Sequence, residues 1–109
     1  MTAHELIQKQ LDGAGKTLGK VLDGVSESSA DAKLGGMMSP RETAEHLSEC
    51  YVAAIKHASG EKHDWGTYAA PDKSWPAVRT EMERLRAEAI EKNLANGEDG
   101  IQTADMYIA

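Results

Sequence analysis

Residues 39–60, SPRETAEHLSECYVAAIKHASG, decide the fold, because they carry the start, the apolar face and the end of one helix. Ser39, Pro40 and Glu42 form a capping box at its start, in which Ser39 and Glu42 each accept a hydrogen bond from the other's backbone amide. Gly60 is placed to end the helix in a left-handed conformation. Between these limits, apolar side chains recur at three- and four-residue steps and form one face. They are Ala44, Leu47, Tyr51, Ala54, Ile55 and Ala58.

The same periodicity predicts two further long helices and a short C-terminal one. The expected helices cover 3–25, 39–59 and 75–96, with a short segment near 102–108. No stretch shows the two-residue alternation of a sheet, so we expect an all-α, up-and-down helical bundle that forms a single domain over 1–109. The side chains expected in its core are Leu11, Leu18, Leu22, Leu47, Tyr51, Ile55, Val78, Met82 and Leu85.

Several single residues carry narrower expectations. Four glycines weaken the first helix, namely Gly13, Gly15, Gly19 and Gly24, but glycine also lets a neighbouring backbone come close. Thr103 is placed to cap the short C-terminal helix. Trp65 and Tyr68 are large for exposed loop residues, so the segment that carries them is expected to fold back onto the bundle.

The composition argues against several classes of function. The chain has 109 residues and a net charge of −6 without a Lys/Arg cluster, which argues against nucleic-acid binding and against an anionic membrane surface. No apolar run approaches the length of about 20 residues that spans a bilayer, and the N-terminal residues lack the order of a signal peptide. Cys50 is the only cysteine, so no internal disulfide can form. A cytoplasmic location is therefore expected.

Four stretches together resemble the DinB-like superfamily of metal-binding four-helix bundles. They are 39–47 (SPRETAEHL), 60–68 (GEKHDWGTY), 74–86 (SWPAVRTEMERLR) and 101–109 (IQTADMYIA). In that superfamily a histidine on the second helix, followed by leucine, ligates a divalent metal, and His46 before Leu47 matches this position. The resemblance implies zinc or nickel as the metal, and a thiol-dependent transfer or isomerisation of a small molecule as the activity.

The sequence departs from the family at the fourth helix. Two further metal ligands of the family come from that helix, in an H-x-x-x-H arrangement, and by the register of the match they would begin about where the chain ends, at Ala109. We therefore expect a truncated fourth helix, with His46 as the one position that carries the family's ligand role. Because a catalytic zinc site uses three protein ligands and one open position, no cofactor is predicted for the isolated chain.

A second potential metal ligand, Cys50, lies one turn after His46 on the same helix. Imidazole and thiolate suit zinc, nickel or copper, but two ligands fall short of the usual zinc set. The simpler interpretation is a partly buried, hydrogen-bonded His46, with Cys50 as a small core residue. His57 and His63, which flank the following connector, are expected to be solvated.

Two classes of function remain open. The first is a non-catalytic helical protein that associates with itself as a homodimer, because an incomplete fourth helix would leave an apolar trough that a second copy can cover. Met106, Tyr107 and Ile108 are expected in that interface. The second is a divalent-metal-dependent thiol transferase, isomerase or hydrolase that acts on a small molecule, with its metal site completed across an oligomer. No catalytic residue follows from the sequence.

Overall fold

The part of the chain that the structure describes folds into four helices joined by two long connectors and one short turn. The computed structural model describes residues 2–33 and 35–108, with all of their side chains except those of Glu98 and Asp105. The described residues contain no strand, and none of their helices combines the length and apolar character that a bilayer crossing needs. The expected all-α helical bundle is therefore confirmed. In chain order the helices are α1 (Ala3–Asp23), α2 (Pro40–Ala58), α3 (Trp75–Leu94) and α4 (Glu98–Tyr107).

Helix α2 begins and ends with the signals that its sequence predicts. At its start the Glu42 amide donates to Ser39 Oγ over 3.2 Å, and the Ser39 amide donates to Glu42 Oε1 over 3.3 Å. At its end Gly60 takes a φ of +77°. The Gly60 amide donates to the His57 carbonyl over 3.0 Å, and the Glu61 amide donates to the Lys56 carbonyl over 2.8 Å. This is a Schellman motif, in which a left-handed glycine lets two amides satisfy the final carbonyls.

Helices α2 and α3 run in the same direction, whereas in the expected up-and-down order consecutive helices would be antiparallel. Near their N-termini, the Arg41 guanidinium donates to the Lys73 carbonyl, just before α3 begins. Near their C-termini, the Asn96 side-chain amide donates to the Ala58 carbonyl over 2.8 Å. The 19 residues of α2 span about 28 Å. The connector 59–74 must therefore run back along the whole of α2 before α3 can begin.

Helix α1 runs opposite to α3 and is tied to it by two arginine side chains. Arg86 Nη2 donates to the Leu11 carbonyl over 2.8 Å, and Arg79 Nη2 donates to the Gly19 carbonyl over 3.2 Å. Gly15 makes room for the first arginine, since a Cβ at that position would lie 2.6 Å from Arg86 Nη1. The expectation that Gly15 and Gly19 admit a neighbouring backbone is wrong. They admit arginine side chains, because α3 presents its long basic residues to this face of α1.

Helix α4 follows α3 after a tight turn and begins at Glu98, whereas the sequence predicts a start near 102. Gly97 precedes it with a φ of +69°, a left-handed conformation that lets the chain reverse at once. The prediction that Thr103 caps this helix is therefore wrong. Thr103 lies inside the helix, where its hydroxyl donates to the Asp99 carbonyl over 3.2 Å.

Most of the expected core is buried. The prediction is wrong for Leu18, Leu47 and Ile55, which are only partly buried. Leu18 lies at a gap between α1 and α3, where arginines rather than apolar side chains join the two helices. Six of the nine expected side chains are buried, namely Leu11, Leu22, Tyr51, Val78, Met82 and Leu85.

We expect the substitution Gly100→Ala to destabilise the fold. A Cβ at Gly100 would overlap the backbone carbonyl of Asn93, which belongs to α3 and cannot move aside as the end of a flexible side chain can. Overpacking of this kind costs roughly 1–3 kcal/mol. The loss should be measurable as a lower free energy of unfolding in urea.

The matched control is Gly13→Ala, because Gly13 also lies within a helix but has none of the described atoms within 4 Å of an added Cβ. Helix propensity alone should stabilise this variant by up to about 1 kcal/mol. Equal effects at the two positions would contradict the close packing of α4 on α3.

Candidate functional site

The carboxylate of Glu49, halfway along α2, holds the returning connector. Its Oε2 atom accepts hydrogen bonds from His63 Nε2 over 3.0 Å, from the Gly66 amide over 2.8 Å and from the Tyr68 amide over 3.2 Å. The prediction that His63 is solvated is wrong, since its side chain is only 4% exposed. The reason is the parallel arrangement of α2 and α3, which lays the connector against the flank of α2 that carries Glu49.

The His63 ring contacts α2 directly and reaches α4 through Trp65. Its Nδ1 atom lies 3.3 Å from Lys56 Nζ, so the ammonium donates to Nδ1 while Nε2–H donates to Glu49. In this pair of contacts the ring proton that faces Glu49 is the one on Nε2. Trp65 meets His63 edge-on at 4.9 Å between ring centroids and stacks on Tyr107 of α4 at 6.3 Å. The expectation that this segment folds back onto the bundle is confirmed, and we call Glu49, His63 and Lys56 the connector clasp.

A second polar cluster holds the N-terminal end of α3. Arg41 is paired with Glu27 and Asp31 at 2.9 Å each, and its side chain is only 14% exposed. The other Glu27 oxygen accepts from the Trp75 amide over 2.6 Å. Ser74 makes no side-chain capping bond. Helix α3 is capped instead by Glu27, which lies in the first connector, 24–39, between α1 and α2. These bonds to Trp75 and Arg41 hold the pKa of Glu27 below its usual range.

The structure brings His46 and Cys50 together, as their four-residue spacing predicts. His46 Nε2 lies 3.8 Å from Cys50 Sγ. The expectation of a partly buried His46 is wrong, since this side chain lies on the exposed face of α2, whereas Cys50 is half-buried. Bond lengths of about 2.3 Å to sulfur and about 2.0 Å to nitrogen place two ligands of a tetrahedral zinc ion roughly 3.5 Å apart. The observed separation of 3.8 Å is therefore close to that of two ligands on one ion. Across the described part of the chain, no three His, Cys, Asp or Glu side chains converge on one metal position.

The Cys50 sulfur is poorly suited to act as a nucleophile without a bound metal. Burial raises the pKa of the Cys50 thiol, and the negative charge of Glu49 raises it further. A thiol with a raised pKa is largely protonated at neutral pH, whereas the thiolate is the reactive form. Burial is the larger of the two causes of the raised pKa.

A groove of about 670 Å³ separates α1 from α3. Its floor is apolar and its walls include the glycines of α1 and the Arg86 side chain. A smaller cavity of about 350 Å³ lies where α2 and α3 end and α4 begins, and His57 lines it. His57 is exposed, as predicted. The apolar residues that form the floor of the larger groove are Leu18, Leu22, Met82 and Ile90.

Comparisons with family models, with curated proteins and with solved structures find no match for this chain. The resemblance to the DinB-like superfamily therefore stays a prediction, based on the residues that carry it. The observed geometry of the candidate sites has to carry any functional conclusion.

We expect Glu49→Gln to weaken the fold at neutral pH and much less in acid. The bond from His63, followed by those from the amides of Tyr68 and Gly66, holds the pKa of Glu49 below its usual value of 4.5. A carboxylate with a lowered pKa stabilises the fold fully above its unfolded pKa and loses that effect as the pH falls through the folded pKa. Loss of its charged hydrogen bonds should cost roughly 1–3 kcal/mol.

The measurement is the free energy of unfolding in urea from about pH 7 to about pH 3, for the wild type and the variant. Glu61→Gln, which changes an exposed carboxylate of the same connector, is the control and should have little effect at any pH. A difference between wild type and Glu49→Gln that stays constant over this range would contradict the assigned role of the charge.

Proposed function

We propose that this chain is a non-catalytic helical-bundle protein of the DinB-like type that acts by associating with itself as a homodimer. The observation that carries the proposal is that α4 is too short to cover α1, on which two apolar side chains, Leu6 and Val21, are exposed. The ten residues of α4 span about 15 Å, whereas the 21 residues of α1 span about 31 Å. Helix α4 can therefore cover at most half of the neighbouring flank of α1.

The exposed apolar side chains of α1 support the proposed self-association. Val21, in the second half of α1, is 67% exposed, and Leu6 is 50% exposed. Fifteen residues separate them, which places them within about 60° of each other around the helix. Met106 of α4 is 74% exposed, but Ile108, which is also expected in the interface, is buried in the core of its own chain. A twofold contact that covers Val21 and Leu6 would remove this apolar flank from water.

A cytoplasmic location belongs to the same proposal. Cys50 is a free thiol, and it is the only cysteine of the sequence. Chains that keep free thiols and form no disulfides are typical of reducing compartments.

We expect Val21→Glu to convert the dimer into a folded monomer. A buried, unpaired carboxylate in the interface costs more than the contact returns, while the exposed position of Val21 leaves the fold of the single chain intact. Sedimentation or light scattering at micromolar concentration gives the mass, and circular dichroism confirms the helices.

The control is Met37→Glu, because Met37 is as exposed as Val21, at 68% against 67%, but lies in the first connector. This variant should keep the mass of the wild type. A wild-type chain that stays monomeric up to high micromolar concentration would rule out the proposed self-association.

The alternative function is a metal-dependent enzyme of the DinB-like type that acts on a small molecule. The observation that favours it is the separation of 3.8 Å between His46 Nε2 and Cys50 Sγ, on an accessible turn of α2. One chain supplies two ligands here, and two chains would supply the Cys₂His₂ set that suits zinc. Zinc or nickel binding would release the Cys50 proton and so generate a thiolate.

Metal content separates the two proposals. After dialysis against a chelator and return to a zinc-containing buffer, we expect no stoichiometric zinc in the wild type. The alternative would be supported by one zinc per two chains that is lost in His46→Ala and kept in His57→Ala. The His57 variant is the matched control, since His57 is another exposed histidine of the same helix.

A further inference from the structure

The groove between α1 and α3 combines an apolar floor with a basic group. Leu18 and Leu22 of α1 line it together with Met82 and Ile90 of α3, and Arg86 lies in the same groove. Its volume of about 670 Å³ falls within the range of about 300–1,000 Å³ that is typical of small-molecule sites. The groove thus has the size and the lining of a ligand site.

Arg86 differs from the other arginines of the chain in its partners. The other three, Arg41, Arg79 and Arg84, each pair with carboxylates. Among the described residues, Arg86 forms no ion pair; its guanidinium donates to the Leu11 carbonyl over 2.8 Å and lies beside the Tyr51 hydroxyl. It is partly buried, and a half-buried guanidinium retains donors that match a carboxylate in two-pronged geometry.

We propose that this groove binds an anionic amphiphile, a linear alkyl carboxylate, with its head at Arg86 and its tail along the apolar floor. The carboxylate supplies the counter-charge that Arg86 lacks among the described residues. The alkyl chain covers Met82, Leu18 and Leu22, which gains the free energy of removing apolar surface from water.

The charges along the rim fix the direction of the ligand. Of the three carboxylates on the rim, Asp12 accepts from the Gln8 side chain over 2.9 Å and Glu83 is paired with Arg79 at 3.0 Å. A second cation, Lys16, also lines the groove and follows Gly15, the glycine that lies against Arg86. Glu91 lines the groove five residues after Arg86, about 7.5 Å further along α3. Its charge disfavours an anionic head at that end, so the head lies at Arg86 and the tail extends towards Leu22.

The groove borders the proposed dimer surface. Leu18 lines the groove, and Val21 lies three residues later, about 60° away around α1. Val21 and Leu6 do not themselves line the groove, so self-association and ligand binding are measured at different residues, and either proposal can fail without the other.

The test uses the wild-type chain with decanoate, below its micellar concentration, and with decan-1-ol as the uncharged probe. Isothermal titration calorimetry gives the affinities, and amide chemical shifts locate the site. We expect decanoate to bind at least about tenfold more tightly than decan-1-ol, since a hydrogen-bonded charge contributes roughly 1.5–3 kcal/mol. The amide signals of Gly15 and Gly19 should move.

The variant Arg86→Gln should weaken decanoate binding by about tenfold or more and leave decan-1-ol binding nearly unchanged. Arg84→Gln is the matched control, because Arg84 is an exposed arginine of the same helix. The proposal is overturned if decanoate does not bind at millimolar concentration, if both probes bind equally, or if the shifts fall outside α1 and α3. Should Arg86→Gln fail to fold, the probe comparison and the glycine shifts in the wild type still decide.

Discussion

The parallel arrangement of α2 and α3 is the constraint on which the rest of the structure depends. Because the two helices run the same way, the connector between them must cross the length of the bundle, and its amides need partners along that path. Glu49 supplies a partner for two of these amides and for His63. The position of His63 in turn sets that of Trp65, on which Tyr107 of α4 stacks. One carboxylate thus holds the connector on α2, and the connector in turn contacts the last helix.

The helices could be predicted from the sequence because their signals are local. Ser39, Glu42 and Gly60 act within one turn of a helix end, and the apolar period needs no knowledge of the partner. The direction of α3 could not be predicted, since it depends on contacts such as that between Asn96 and Ala58, 38 residues apart. The predicted start of α4 is wrong for a local reason. In the sequence, a threonine inside a helix looks like a helix cap, and the left-handed turn at Gly97, which starts the helix earlier, is not visible there.

The same distinction holds for the candidate sites. The pair of His46 and Cys50 was predictable, because a spacing of four residues on a helix brings side chains together whatever surrounds them. The connector clasp was not, because His63 reaches Glu49 from an irregular segment 14 residues away. Arg86 carried no signal of its own among the charges of α3. The visible hint was Gly15, a residue without a side chain inside a helix, which marks a place where another group must fit.

The attachment of α1 through arginines has a consequence for how the register of this helix is set. Backbone carbonyls recur along a helix with every turn, about 5.4 Å, and each keeps a second lone pair after its helical bond has formed. A guanidinium that leaves one carbonyl therefore meets an equivalent acceptor one turn away, and Gly15 and Gly19 place no side chain in its path. The carbonyls alone therefore do not select one register of α1 against α3. That register is set by the buried apolar side chains of α1, which are Ile7, Leu11 and Leu22, and by the ion pair between Asp23 and Arg79 at 2.7 Å.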